Sequence, residues 1–193
     1  DFRGQKRSNA THRSLTDPDC RFVSKGSSGT GAHPGYTVNA LMENRHRFLL
    51  GLGVEVFRSS ASETEGSEKL LDRAHRRLRY EPKTFGADKG FFSTGLIRTL
   101  LDRRIAPHIA ADPRGRQPEH SRVRMRVRGV GYALSQRARK KIEELFGEAK
   151  DWHGLRRFRR RGLDRVRQET LLIGWVLNLK RLARALETRT EPA

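Results

Sequence analysis

Apolar positions along this chain change rhythm several times, and each change marks an expected element. Residues 1–18 are polar and turn-rich, with Asx-turn chemistry around Asp17-Pro18-Asp19. CRFVSK (20–25) reads as a short strand, and GSSGTGAHPG (26–35) as a Gly/Ser loop. YTVNALME and HRFLLGLGVEVF, rich in β-branched and aromatic residues on either side of Glu43-Asn44-Arg45, predict a hairpin. The spacing then becomes helical over 60–80, with Leu70, Leu71, Ala74 and Leu78 on one stripe. KTFGADKGF predicts a strand ending at Gly86-Ala87-Asp88, FFSTGLIRTLLDRR a helix, and IAPHIAA a second short strand. Hairpin, helix, strand, helix, strand is the order of an α/β sheet with parallel crossovers. DPRGRQPEHSR (112–122) reads as a loop. RVRMRVRGV alternates Arg with Val or Met, as a strand would, but Gly129 and Gly131 beside it favour a basic loop. A helix over 135–150, an Arg-rich run and a final amphipathic helix from about Asp164 complete the chain, and no segment repeats.

The helix SQRARKKIEELFGEAK carries the most information. At about 100° per residue, Ala138, Ile142, Leu145 and Ala149 form one core-facing stripe. Arg139, Glu143 and Lys150 form a second stripe about 110° round from it, and Glu144 and Glu148 point further out. Glu143 therefore stands at the margin of the buried face between two cations. One reading is an i, i+4 surface pair with Arg139, worth tenths of a kcal/mol. A second comes from Asp88, just past the end of a predicted strand. Groups at the carboxyl ends of strands in open α/β sheets line the ligand crevice. Asp88 also suits the cap of a helix starting near Phe91. Two such acids are hard oxygen donors of the kind a divalent-metal phosphoryl-transfer site uses.

Charge sharpens the picture. Lys and Arg number 41 against 22 Asp and Glu, a net charge of +19, which favours a polyanionic partner. No apolar run approaches the roughly 20 residues of a membrane span. A single cysteine, Cys20, rules out a disulfide framework within the chain, fits a reducing compartment, and reads as a small apolar filler. The seven histidines show no metal-ligand spacing. Arg156, Arg157, Arg159, Arg160 and Arg161 surround Phe158; they form either a solvated basic face or, the preferred reading, a phosphate contact. Arg122, Arg124, Arg126 and Arg128 make a weaker second candidate. Trp152 and Trp175 read as core.

ADKG, followed far downstream by Arg139-x3-Glu143-x6-Lys150, resembles the catalytic core of bacterial insertion-sequence transposases of the DDE type, which have a ribonuclease H-like fold. The family motif is Tyr-x2-Arg-x3-Glu-x6-Lys, and here Gln136 holds the Tyr position. DFRGQKRSN, TDPD, GYTVNALMEN, GLRRFRRRG and Asn178-Leu179-x-Arg181 extend the resemblance over nearly the whole chain. It implies Asp88 as the second acid of the catalytic triad and Glu143 as the third, both binding Mg²⁺ or Mn²⁺ once the triad is complete. Arg139 and Lys150 would contact DNA phosphate or order the glutamate, beside the five arginines of the 156–161 run. DNA, both transposon ends and target, and further transposase subunits in a homo-oligomer are the implied partners, in a bacterial cytoplasm near the nucleoid and away from membranes.

The family's first Asp lies on the first sheet strand, upstream of a segment like DFRGQKRSN. Asp17 and Asp19 lie in a turn and are not expected to replace it. The expected fold is thus an α/β, ribonuclease H-like mixed sheet flanked by helices but lacking its first strand, over residues 1–183, with a disordered polar tail over 184–193. A truncated transposase, inactive alone, is the expectation. The alternative is a non-catalytic fragment that binds DNA or intact transposase as an inhibitor. An RNA-binding protein is disfavoured, since it gives no reason for Asp88 and Glu143 and the chain lacks a base-stacking motif.

Overall fold

In the computed structural model, which describes residues 4, 8–23, 32–58, 61–113 and 117–190, the strands form three separate pairs. β1 (Arg21–Val23) and β2 (His33–Gly35) form a short antiparallel ribbon. Three residues of the expected loop, His33, Pro34 and Gly35, are therefore strand; residues 26–31 of that expectation lie outside the described residues. Pro34 is tolerated because a two-stranded ribbon has only edge strands. β3 (Thr37–Met42) and β4 (Leu49–Glu55) are the expected hairpin, with an irregularity between Leu41 and Met42. Its turn is held by the Glu43 carboxylate, which accepts from the backbone N–H groups of Arg45, His46 and Phe48 at 2.7–3.0 Å. β5 (Thr84–Ala87) and β6 (Ala106–Ile109) pair in parallel, joined by a crossover as the element order predicted.

Helix α1 (Ala61–Leu78) packs on one face of the hairpin. It sits close because a Cβ at Gly51 would lie 2.9 Å from the Leu70 side chain, and one at Gly66 would lie 2.2 Å from that of Asn39. Helix α5 (Leu163–Thr190) covers the opposite face through β4. The Asn178 amide pairs with Leu49 like a neighbouring strand, accepting from its N–H at 2.8 Å and donating to its C=O at 2.9 Å. Helices α2 (Thr94–Asp102) and α3 (Pro118–Arg126) pack on β6, and α4 (Val130–Trp152) lies across β5 and β6.

Two cores result. One gathers Leu96, Ile97, Leu100, Ile109 and Val123 beneath β5 and β6; the other joins Leu49, Leu145, Ala149, Ile173 and Leu177 between β4, α4 and α5.

Several expectations change. Residues 118–126 are helix, neither basic loop nor strand. The buried positions there are His120 and Val123, with Val127 packed beside them at helical spacing, while Met125 of the apparent alternation is exposed. Helix α4 begins at Val130, five residues before the expected start at Ser135. The segment expected as a disordered tail is helical as far as Thr190, and residues 191–193 lie outside the described residues. Trp152 and Trp175 are exposed, not core. Cys20 is buried, in keeping with a small apolar filler. No helix among the described residues is long and apolar enough to cross a membrane.

Candidate nucleic-acid interface and carboxylate site

A cleft of about 1940 Å³ runs between the two cores, and its walls collect most of the residues singled out from sequence. Asp88, Arg139, Glu143, Lys150 and all five arginines of the 156–161 run line it. So do the consecutive residues Thr37 to Glu43 and Lys83 to Asp88. Side chains of a strand alternate between faces, so an unbroken run lining one cavity presents the strand's edge to it. β3 has β4 on its other side and β5 has β6. The cleft is therefore bordered by two sheet edges without a neighbouring strand among the described residues.

Asp88 follows the last residue of β5, where the crossover leaves the sheet. Its Oδ1 accepts the Gly90 N–H at 2.9 Å and caps a single 3₁₀ turn, Lys89–Phe91. The longer helix expected near Phe91 begins instead at Thr94, capped by Ser93 through the Leu96 N–H. Asp88 Oδ2 has no hydrogen-bond partner among the described residues. Gly90 lies close to a second acid as well: a Cβ there would stand 3.1 Å from Asp88 Oδ1 and 3.8 Å from Glu63 Oε2. Glu63, in the first turn of α1, also lines the cleft and was not singled out from sequence. Its one visible signal was an acid at a helix start, which reads first as dipole compensation.

Glu143 is reached through a relay of side chains. Gln136 Nε2 donates to the backbone carbonyls of Ala87 (3.2 Å) and His108 (2.8 Å), at the carboxyl ends of β5 and β6. Its Oε1 accepts from Arg139 Nε at 3.0 Å, and Arg139 Nη1 donates to Glu143 Oε1 at 2.7 Å. Gln136 thus makes the strand-end contact despite departing from the tyrosine of the motif. Arg139 is largely covered and Glu143 is 61% exposed, so the cation is fixed and the carboxylate faces the cleft with Oε2 uncommitted among the described residues. The α4 anchor is reinforced by Ser135, whose hydroxyl lies 2.5 Å from His108 Nδ1; burial, with Arg126 second, pushes the His108 pKa down. We expect Gln136→Ala to strand the carbonyls it serves and lower stability by about 1–3 kcal/mol. A fall in the urea midpoint without a change in slope checks this.

The other acids of α4 divide. Glu144 points out and pairs with Arg47 at 3.1 Å. Glu148, expected to point outward as well, turns to α5. It binds Lys180 and lies 3.6 Å from Arg181 Nη2, and the Lys180 hydrogen bond holds its pKa below the usual carboxylate range. The predicted stripe holds at Leu145 and Ala149, both buried, while Ala138 and Ile142 are half-covered and line the cleft.

Asp17 and Asp19 are engaged elsewhere. Asp17 Oδ1 accepts from the Tyr36 hydroxyl at 2.7 Å and the Gly162 N–H at 3.2 Å, and Asp19 Oδ2 accepts the Leu163 N–H at 3.0 Å. Burial first, then this Asp17 bond, raises the Tyr36 pKa. The TDPD segment thus satisfies amides at the start of α5.

Along the arginine run, Glu169 accepts the Arg159 and Arg160 backbone N–H groups at 3.1–3.2 Å, and Arg156 pairs with Asp151 at 2.5 Å. The side chains of Arg157, Arg159, Arg160 and Arg161 are exposed, with no carboxylate partner among the described residues. Lys150 stands over the Phe146 ring, 5.8 Å from its centroid.

Hard-oxygen chemistry suits Asp88 and Glu143 to a divalent ion. Among the described residues, however, no three of His, Cys, Asp and Glu gather closely enough to hold one, so the donor set is incomplete as it stands.

No curated protein and no solved structure matches the chain. A family model described as "Transposase DDE domain" matches residues 6–179, a span that takes in Asp88, Glu143, the Gln136 relay and the arginine run. The chain belongs to the transposase DDE domain family.

Proposed function

We propose that this chain carries two of the three catalytic carboxylates of a DNA transposase, Asp88 and Glu143, and that the cleft between β3 and β5 receives an extended strand bearing the third. The observation that carries the reading is the relay from the β5 carboxyl end through Gln136 and Arg139 to Glu143. It ties the helix acid to the backbone residue preceding the strand-end acid, and each acid keeps one oxygen uncommitted toward the same cleft. The two unpartnered edges support the second half of the proposal, because a strand laid between them would satisfy their backbone groups and join two sheets into one. With that strand in place, Asp88 and Glu143 would hold the divalent cation the family uses. At a phosphodiester such an ion activates the attacking oxygen and stabilises the leaving one.

The chain's own cations have separate tasks. Arg139 holds Glu143 oriented. Lys150 and the arginines at 156, 157, 159, 160 and 161 take backbone phosphates of transposon-end DNA, since phosphate contacts position the duplex without reading its sequence. Arg157→Ala with Arg160→Ala should weaken binding to all DNA sequences alike. The slope of log affinity against log salt should shrink by about 1.8, at about 0.9 per lost phosphate contact. Fluorescence anisotropy across a salt series measures it.

The deciding experiment is strand cleavage of labelled DNA carrying the element's own ends, in Mg²⁺ or Mn²⁺. The 193-residue chain is compared with the same chain extended in frame at its N-terminus by an Asp-bearing strand. Cutting by the extended chain alone supports the reading. Cutting by the short chain sinks the strand-acceptor half. DNA binding without cleavage by either leaves the non-catalytic, inhibitory alternative.

A further inference from the structure

Three carboxylates reach the most basic segment of the chain, and among the described residues none of them pairs with the guanidinium of Arg157, Arg159, Arg160 or Arg161. They bind its backbone instead. Glu169 accepts the N–H groups of Arg159 and Arg160, Asp17 accepts that of Gly162, and Asp19 that of Leu163, at 3.0–3.2 Å. Four of the five consecutive amides from 159 to 163 are thus held by acid side chains. The apolar members of the loop point inward: Leu155 is buried, and Phe158 packs on the same core, edge-on to Tyr36 at 6.3 Å between ring centroids. Tyr36 in turn donates its hydroxyl to Asp17 at 2.7 Å. Gly154 and Gly162, at φ +80° and +83°, turn the chain at the two ends. The loop is therefore fixed through its backbone and its apolar side chains, while those four arginine side chains stay exposed.

We infer that Glu169, Asp17 and Asp19 are positioning residues for DNA binding: by gripping the backbone they hold the arginine loop in the shape that meets phosphates, so that removing Glu169 weakens binding although it makes the chain more cationic. The inference rests on the reading that this run contacts DNA phosphate. The Arg159 and Arg160 amides border solvent, where water would satisfy them, so the Glu169 carboxylate adds shape and does not rescue buried groups. Bound to neutral amides, it also leaves the guanidiniums unquenched, whereas an acid paired with them would compete with every phosphate. Charge alone argues the other way, since a carboxylate beside the path of the DNA repels it and its loss should tighten binding. The two effects have opposite signs, and loop order is the larger. Two freed backbone residues must be fixed again on binding, at a cost of about tenfold or more in affinity. One exposed charge, by contrast, is screened within about 8 Å at physiological salt.

Fluorescence anisotropy of a labelled duplex of arbitrary sequence, titrated with the 193-residue chain across a salt series, tests it. Glu169→Ala should weaken binding about tenfold at every salt concentration. Its slope of log affinity against log salt should stay within about 0.9 of the parent's, because the same phosphates are met once the loop is ordered. Glu169→Gln keeps one oxygen in place for the amides and should recover part of the loss at the same net charge as the Ala variant. Glu65→Gln makes an equal change of charge at an exposed acid of α1 that does not line the cleft, and should bind at least as well as the parent. Should Glu169→Ala lose helical circular dichroism, Asp19→Ala at the far end of the loop is read in its place. Binding by Glu169→Ala as tight as that of Glu65→Gln would overturn the proposal, and tighter binding would mark Glu169 as an acid occupying a phosphate's seat. A lowered urea midpoint with unchanged affinity would overturn it too, leaving Glu169 a purely structural role. If Arg157→Ala with Arg160→Ala changes neither affinity nor slope, the phosphate reading fails and the inference with it. If that double variant binds weakly while Glu169→Ala does not, the inference alone fails.

Discussion

Asp88→Asn and Glu143→Gln should each lower DNA strand cleavage by the strand-completed chain more than about a hundred-fold, the upper end of what losing a residue that merely orients a metal ligand costs. Both replacements keep shape and hydrogen bonding while removing the charge. Asn is as good a cap as Asp, so the turn at Lys89–Phe91 survives, and Gln still accepts from Arg139. A structural role therefore predicts almost no change in either variant, whereas a catalytic one predicts near-complete loss at an unaltered melting temperature. The two carboxylates should also fail to add: once one is gone, removing the other changes little, as for groups that act as a unit. Residual cleavage within about tenfold of the parent by Glu143→Gln would return Glu143 to a surface ion pair with Arg139, worth tenths of a kcal/mol.

Leu145→Ala should produce the largest loss of stability, about 2–5 kcal/mol, from a domain whose whole margin is of the order of 5–15 kcal/mol. Leu145 is 1% exposed and packs with Leu49, Ile173 and Leu177 where α4, β4 and α5 meet. These neighbours come from three elements fixed by their own contacts, so the cavity cannot collapse cheaply. Urea denaturation followed by circular dichroism measures the shift in midpoint. A loss under about 1 kcal/mol would mean the core repacks around the truncated side chain. Because Leu145 lies two residues from Glu143, its replacement should reduce stability and cleavage together, unlike Glu143→Gln, which should reduce cleavage alone.

The hairpin, α1, β5, α2 and β6 were legible in the sequence because each carries one clear period and little else in the neighbourhood competes with it. Asp88 was legible for a related reason: an acid directly after an apolar run marks the end of a strand. Helix α3 was not. Val123, Met125 and Val127 alternate like a strand, but the pattern that matters is His120, Val123, Val127, and only β6 and α2 packing beside it make that spacing visible. Glu148 and Trp175 failed for different causes. Helix α4 is touched from two sides and has no single polar face, so reading one stripe as buried and the rest as wet misplaces an acid that meets α5, whereas Trp175, read as core, lies exposed on α5. The Gln136 contact was hidden too, since nothing local announces that an amide will reach two strand-end carbonyls.

The relay from Gln136 to Glu143 also limits how this region can vary. Its members fall at i, i+3 and i+7, so Gln136 and Glu143 lie within about 20° of one another around the helix. Their chemical identities leave some latitude, as glutamine in the place of the motif's tyrosine already illustrates. Their separation leaves none. One residue inserted or deleted between 136 and 143 would swing the glutamate, and Leu145 and Ala149 with it, by about 100° if Gln136 stayed fastened to the sheet, so the helix could not keep its strand-end anchor and its core contacts together.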